Sequence, residues 1–338
     1  LEFTMRQRTL GKTGPATAHI GLGLMGMSDL YGPADRTESI ATIHAALDAG
    51  ITLLDTGDFY GAGQNELLLR DALAGHSARG NALVSVKFGA QRDPAGAFIG
   101  IDNRPASVKN YAAYSLKRLG VEAIDIYRPA RLDPSVPIED TVGAIADLIQ
   151  AGHVKHIGLS EVGPETLRRA HAVHPVADLQ IEYSMISRGI ENGILQTARE
   201  LGIGITAYGV LSRGLISGHW NVQREGEQDF RGLASPRFQG DNLRHNLALV
   251  ENVRGIAARL QASVAQVAIA WVLAQGSDIV ALVGARTRQR LQEALGAGGV
   301  TLSKADLAAL AEALPPGAIA GSRYSEQQMA HLDSEGGH

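Results

Sequence analysis

The chain has 338 residues, 45% of them hydrophobic and 20% charged, a composition that supports a full buried core and excludes a disordered polymer. A formal net charge of −4 leaves no electrostatic footprint for nucleic acid or an anionic membrane. The absence of cysteine excludes disulfides, thiolate-bound zinc, iron–sulfur clusters and a cysteine nucleophile.

Residues 1–4 precede Met5 and read as an expression scar, which leaves residues 5–333 as one domain and residues 334–338 as a loose tail. The longest apolar stretch falls far short of the roughly 20 residues a membrane span needs, so a cytoplasmic protein without a membrane partner is expected. Short apolar runs at 19–24, 51–55, 82–88, 123–127, 156–160, 179–183, 203–208 and 279–283 read as strands. Helical periodicity fills 38–49, 65–74, 108–119, 139–150, 165–174 and 194–201, with several of these segments ending at glycine. Alternation of this kind without a break in composition predicts a single (β/α)8 TIM barrel with long loops at its C-terminal face. The glycine-rich, charged stretch 212–242 reads as an inserted loop over one mouth.

Barrel enzymes carry their chemistry at the C-terminal ends of the strands. Strand two runs into Asp55 and strand three ends in Lys87. A lysine closing an apolar strand is costly unless a carboxylate faces it, so the two are expected to pair. Tyr60, five residues past Asp55, can return over that pair, where a nearby ammonium lowers a phenol pKa and makes a general acid. The same residues also fit a structural ion pair beside a packed aromatic.

Two motifs mislead. Gly21-Leu22-Gly23-Leu24-Met25-Gly26 spells a dinucleotide fingerprint, but no helix follows it directly, as that fold requires. Gly158 to Gly163 is one residue too long for a serine nucleophile elbow. The histidine pairs His171/His174 and His153/His156 lack a convergent carboxylate, so no metal site is expected. Arg286, Arg288 and Arg290 follow strand eight into a helix start, where backbone N–H groups and guanidinium forks favour phosphate; an exposed basic helix start fits as well.

Together with Ser115-Leu116-Lys117-Arg118-Leu119-Gly120, Asp133-Pro134-Ser135-Val136-Pro137-Ile138-Glu139-Asp140, Gly158-Leu159-Ser160-Glu161, Gln180-Ile181-Glu182-Tyr183-Ser184 and Ser212-Arg213-Gly214, these segments resemble the aldo-keto reductases, from about Arg8 to Leu314. The resemblance implies a barrel that binds NADPH, in preference to NADH, and moves hydride to or from a small-molecule carbonyl or alcohol. Tyr60, Lys87 and Asp55 match three of the family's four catalytic positions. Ser160, Glu161 and Gln180 match the carboxamide-holding positions and Tyr208 the aromatic that stacks on nicotinamide. Gly209, Val210, Leu211 and Arg213 match the pyrophosphate loop, Gly284, Arg286, Arg290 and Glu293 the adenosine end, and Gly26 and Met27 a further cofactor contact. Tyr31, Ala130 and Trp220 join Tyr60 in the expected substrate pocket, with residues 29–36 and 219–242 as its loops and Phe230 among their aromatics.

The departures are specific. The fourth catalytic position, normally histidine, is Ala130, as in a subgroup of the family, within Tyr127-Arg128-Pro129-Ala130-Arg131. Alanine there leaves room for a bulkier substrate, for a water, or for Arg128 or Arg131 to turn inward. Glu161 replaces a frequent asparagine, Gly209-Val210 a frequent Ser-Pro, and Ala294 an asparagine that often contacts adenine. The missing histidine also admits a second expectation, a nucleotide-binding sensor with negligible turnover.

Overall fold

In a computed structural model of the chain, residues 5–28, 31–221, 231–232 and 235–336 are described. The expected scar at 1–4 and the loop positions Asp29, Leu30 and Phe230 lie outside them. A closed barrel is formed by β3 (Ile20–Gly23), β4 (Leu53–Gly57), β5 (Leu83–Phe88), β8 (Ile124–Pro129), β9 (Val154–Ser160), β10 (Val176–Glu182), β11 (Gly204–Tyr208) and β12 (Ile279–Gly284). All neighbouring pairs run parallel. Each falls on one of the strands expected from sequence, and the barrel is the predicted (β/α)8 fold.

The helices between strands bury an apolar stripe against the barrel and follow simple end rules. Pro105–Leu119 opens on proline, whose missing N–H costs nothing in a first turn, and closes at Gly120 with φ 65°, a backbone state that an L side chain resists. Val264–Ala274, the longest apolar stretch, is buried on all sides and starts with a reciprocal cap between Ser263 and Gln266. No single helix among the described residues is long and apolar enough to cross a membrane.

Three features depart from expectation. A hairpin of β1 (Gln7–Thr9) and β2 (Ala16–Ala18) closes the N-terminal mouth, where Leu10 packs in a small core with Leu53, Ile126 and Val280. A second hairpin, β6 (Ala90–Arg92) and β7 (Phe98–Ile101), rises beside the opposite mouth. The helix Gly240–Arg259 starts inside the stretch read as loop.

The expected loose end from Ser334 is corrected through Gly336. Asp333 Oδ2 accepts from the Gly163 N–H at 2.7 Å, and Ser334 donates from its backbone to the Glu161 carbonyl and from its hydroxyl to the Glu161 carboxylate. Those buried groups need partners, and the chain end supplies them.

Candidate active site

Side chains alternate across a strand, so every second residue of the barrel strands points inward. In β4 that residue is Asp55, level with Gly23 of β3 and Ser85 of β5; two positions beyond Ser85 comes Lys87. Asp55 is 2% exposed and Lys87 7%, and they form an ion pair between Lys87 Nζ and Asp55 Oδ1. The second carboxylate oxygen accepts from Ser85 Oγ at 2.8 Å and from Gln180 Nε2 at 2.8 Å. Three donors on one buried carboxylate offset its desolvation and fix its plane.

Beneath this set lies Arg128, fully buried, donating to Asp178 Oδ2 at 3.0 Å and to Ser85 Oγ at 2.9 Å. Of the two arginines that Ala130 leaves room for, Arg128 is therefore a partner within the barrel and Arg131 is the one that turns into the mouth.

Past β4 the chain turns at Asp58 and Phe59, which sets Tyr60 over the ion pair with Lys87 Nζ 5.5 Å from its ring centroid, and it leaves through Gly61, Ala62 and Gly63, all at positive φ. The expected lowering of the phenol pKa is corrected. Burial raises Tyr60 well above its ordinary value and the Asp55 charge adds to this, against a smaller opposing effect from Arg131. The ammonium, paired with Asp55, does not offset them in the resting site. Burial brings Lys87 itself down to about 8, with Asp55 resisting and Arg128 assisting.

A cleft of about 770 Å³ opens above this set at the C-terminal ends of the strands. It gathers nearly every expected site residue: Gly26, Tyr31, Asp55, Tyr60, Lys87, Ala130, Ser160, Gln180, Tyr208, Gly209, Val210, Leu211, Arg213, Trp220, Gly284, Arg286, Arg290 and Glu293. Two do not line it. Met27 is 5% exposed and its side chain belongs to the core. Glu161 lies behind the wall, where its oxygens accept from Tyr208 Oη at 2.7 Å, the Glu182 N–H at 3.0 Å and both terminal nitrogens of Arg323. The expectation that Glu161 reaches a carboxamide in the cleft is thereby corrected. Its φ of 53° suits asparagine better than glutamate, so the residue holds a strained backbone and spends its charge inward.

At the far end of the cleft, Arg286 donates to the carbonyls of Tyr31 and Pro33, and Arg290 donates to Glu293 at 3.1 Å. Glu293 also meets His219 at 2.8 Å, which ties the segment after β11 to the helix Arg288–Leu295. Arg288 takes no part: its fork is spent on Glu38.

Arg323 and Tyr324 escaped the sequence reading. Tyr324 lines the cleft, with its hydroxyl 3.1 Å from Tyr208 Oη and its ring beneath Arg213 at 4.3 Å. Arg213 also donates to Glu182 Oε2 at 3.3 Å.

Comparison with known proteins fits this geometry. Residues 19–315 match the family model of the aldo/keto reductases. A soybean (Glycine max) protein described as probable aldo-keto reductase 1 is 43% identical over 317 residues, covering 93% of this chain and 90% of that one. The structure of the glycerol dehydrogenase AKR11B4 from Gluconobacter oxydans superposes with a TM-score of 0.83 at 29% identity, over 98% of this chain and 97% of that one. The fold is also that of the aldo-keto reductase AKR11C1 from Bacillus halodurans, with a TM-score of 0.76 at 23% identity over 92% and 97% of the two chains.

Proposed function

This chain belongs to the aldo/keto reductase family, whose members act on carbonyls and alcohols, and on that premise we propose an NADP-dependent reductase with Tyr60 as its general acid and base. The observation that carries the proposal is the stacked set in the cleft floor: a buried phenol over an ammonium that a three-times-bonded Asp55 holds in place.

The residues of the cleft fit the cofactor. Gly209 has φ 64° and a Cβ there would meet buried Glu182 at 3.0 Å, so glycine keeps this turn of the cleft wall, while Gly284 has open space where a side chain would stand and lets backbone approach a ligand closely. Tyr208 offers a ring at the barrel end, and Ser160 and Gln180 offer polar atoms beside it. Arg286 and Arg290, with Glu293, occupy the opposite end, where guanidinium forks suit a ribose phosphate; this favours NADPH over NADH. NADPH, when bound, supplies the hydride.

Tyr60 holds its proton firmly because burial disfavours the phenolate, and it has only a developing alkoxide to give it to. Lys87 compensates the charge that Tyr60 gains as the proton leaves, and Asp55 keeps that ammonium aimed. Ser85 and Gln180 fix Asp55 in turn. In the reverse direction Tyr60 acts as its phenolate, stabilised by the Lys87 ammonium, and takes the proton of an alcohol to become the phenol again; the likeness to a glycerol dehydrogenase supports alcohol oxidation by this set. Ala130 adds open volume in place of an imidazole, which suits bulky or aromatic carbonyls.

Oxidation of NADPH by the purified protein, followed by absorbance across aliphatic, aromatic and pyridoxal-like carbonyls, tests the proposal. Carbonyl-dependent oxidation supports it. Saturable NADPH binding without turnover in either direction would instead indicate a sensor.

A further inference from the structure

Buried acids around the cleft floor are each matched by a cation: Asp55 by Lys87, Asp178 by Arg128, Glu161 by Arg323, and Glu182 by Arg213 and Arg237. Arg131 is left over. It lines the cleft one residue past Ala130; Glu161 attracts it through space, but no carboxylate among the described residues hydrogen-bonds to it. Its Nη1 donates to the Ala130 carbonyl at 2.6 Å and reaches Ser160 Oγ only at 3.5 Å; its Nη2 reaches Tyr324 Oη only at 3.4 Å. One good hydrogen bond thus serves a group with five N–H donors.

Arg131 is partly buried, and the nearest acid acting on it, Glu161, is already held by Arg323, so its charge and its unused donors remain available to a ligand that brings its own anion. A neutral carbonyl oxygen would satisfy one donor and leave the charge uncompensated. A carboxylate takes two parallel donors and the charge together, which is the match a planar guanidinium makes best. Phe98 and Ile101 from the hairpin beside the mouth also line the cleft, and their apolar side chains suit a hydrocarbon or aromatic body.

We propose that Arg131 is the substrate-anchoring cation of this cleft, and that the preferred carbonyl compounds carry a carboxylate close to the reacting carbon: oxo acids in reduction, hydroxy acids in oxidation. The chemistry rests on the reductase reading above, whereas the anchoring itself does not. Arg131 approaches from the side that Ala130 vacates and holds the acid end of the substrate while the carbonyl oxygen faces Tyr60. It is a specificity-determining residue, and proton transfer stays with the phenol.

The test uses 2-oxo-2-phenylacetate and its carboxamide as substrates of the NADPH-loaded protein, and benzoate and benzamide as ligands of the NADP+-loaded protein by calorimetry. The wild type is expected to favour each acid over its amide at least tenfold. Arg131→Gln is expected to bring both ratios close to one, with the loss of the oxo acid appearing in KM. Equal acid and amide values in the wild type, or an Arg131→Gln variant that keeps the acid preference, overturn the proposal. An equal fall in kcat for acid and amide also overturns it, because the residue would then act at the carbonyl or the phenol. The wild-type ratios stand even if the variant misfolds. Arg131-dependent benzoate binding without turnover would keep the anchor and remove the reductase reading; turnover without acid preference would do the reverse.

Discussion

Arg323 closes a two-pronged ion pair on Glu161, with Nη1 to Oε1 at 2.8 Å and Nη2 to Oε2 at 2.7 Å, and so pins the chain end to the wall of the cleft. Both groups are buried, and each has lost its hydration for this contact. The pair fixes Tyr208 through Glu161 and places Tyr324 at the mouth, so a residue near the end of the chain shapes the site of the barrel strands.

Removing one partner leaves a buried charge uncompensated, so Arg323→Met should cost about 3–5 kcal/mol of stability at neutral pH. The pH dependence has a definite sign. Burial raises the Glu161 carboxyl, but Arg323 overrides it and holds it at about 2. A carboxyl depressed on folding stabilises above its unfolded value of about 4.3 and loses that contribution as pH falls toward the folded one. Urea melts of both proteins should show a gap that is widest toward neutral pH and narrows as pH falls toward about 2. A gap of the same size at every pH would refute the assignment to Glu161.

In the proposed reaction carbonyl reduction needs Lys87 charged, and burial lowers its ammonium to about 8. The kcat/KM of the free enzyme for reduction should therefore bend downward above about pH 8. No second bend from Tyr60 is expected below about pH 10, because burial and Asp55 raise the phenol. Asp55→Asn removes the carboxylate that holds the ammonium charged, so its bend should move to lower pH. A bend that stays in place would mean that the pair does not control the profile.

Arg286 and Arg290 carry the expected discrimination between the two nicotinamide cofactors. A charge-assisted hydrogen bond to phosphate contributes about 1.5–3 kcal/mol, so Arg290→Ala should weaken NADPH binding roughly ten- to hundredfold. NADH, lacking the extra phosphate, should lose little. Fluorescence titration of both cofactors checks this, and equal losses for the two would place the phosphate elsewhere.

Asp55 and Lys87 were readable in the sequence because polar residues that end apolar strands have few partners within reach. Tyr208, Ser160 and Gln180 came instead from the resemblance to the family. Arg323 and Tyr324 were not readable: no periodicity marks residues 314–325, and the Glu161 contact spans most of the chain. Glu161 itself was misplaced because its motif position says nothing about which way its carboxylate turns; only the presence of Arg323 behind the wall decides that. The hairpin Ala90–Arg92 with Phe98–Ile101 was hidden by its short strands and the turn at Asp93 and Pro94 between them. Arg131 could be identified as one of two arginines able to fill the space at Ala130, but choosing between them required seeing Arg128 committed to Asp178.

Gly158 shows how tightly that inner pair is packed. A Cβ at this position would meet Asp178 Oδ1 at 2.7 Å, Arg128 Cζ at 3.0 Å and Ile126 Cγ2 at 3.0 Å. Overpacking of this kind costs typically 1–3 kcal/mol, so Gly158→Ala should lower the midpoint of thermal unfolding by several degrees. An unchanged midpoint would mean that the Arg128 and Asp178 side chains yield freely.

In the proposed reaction Tyr60 passes a proton to the carbonyl oxygen while Asp55 and Lys87 hold the charge. Single-turnover oxidation of prebound NADPH tests it most directly, with the best carbonyl of the panel and with wild type and Tyr60→Phe compared at equal cofactor occupancy. The variant is expected to bind NADPH as the wild type does and to lose about 10²–10⁴ in rate, the usual worth of a general acid. A variant that oxidises NADPH at the wild-type rate, or a wild type that binds it and never oxidises it, would remove Tyr60 from that role.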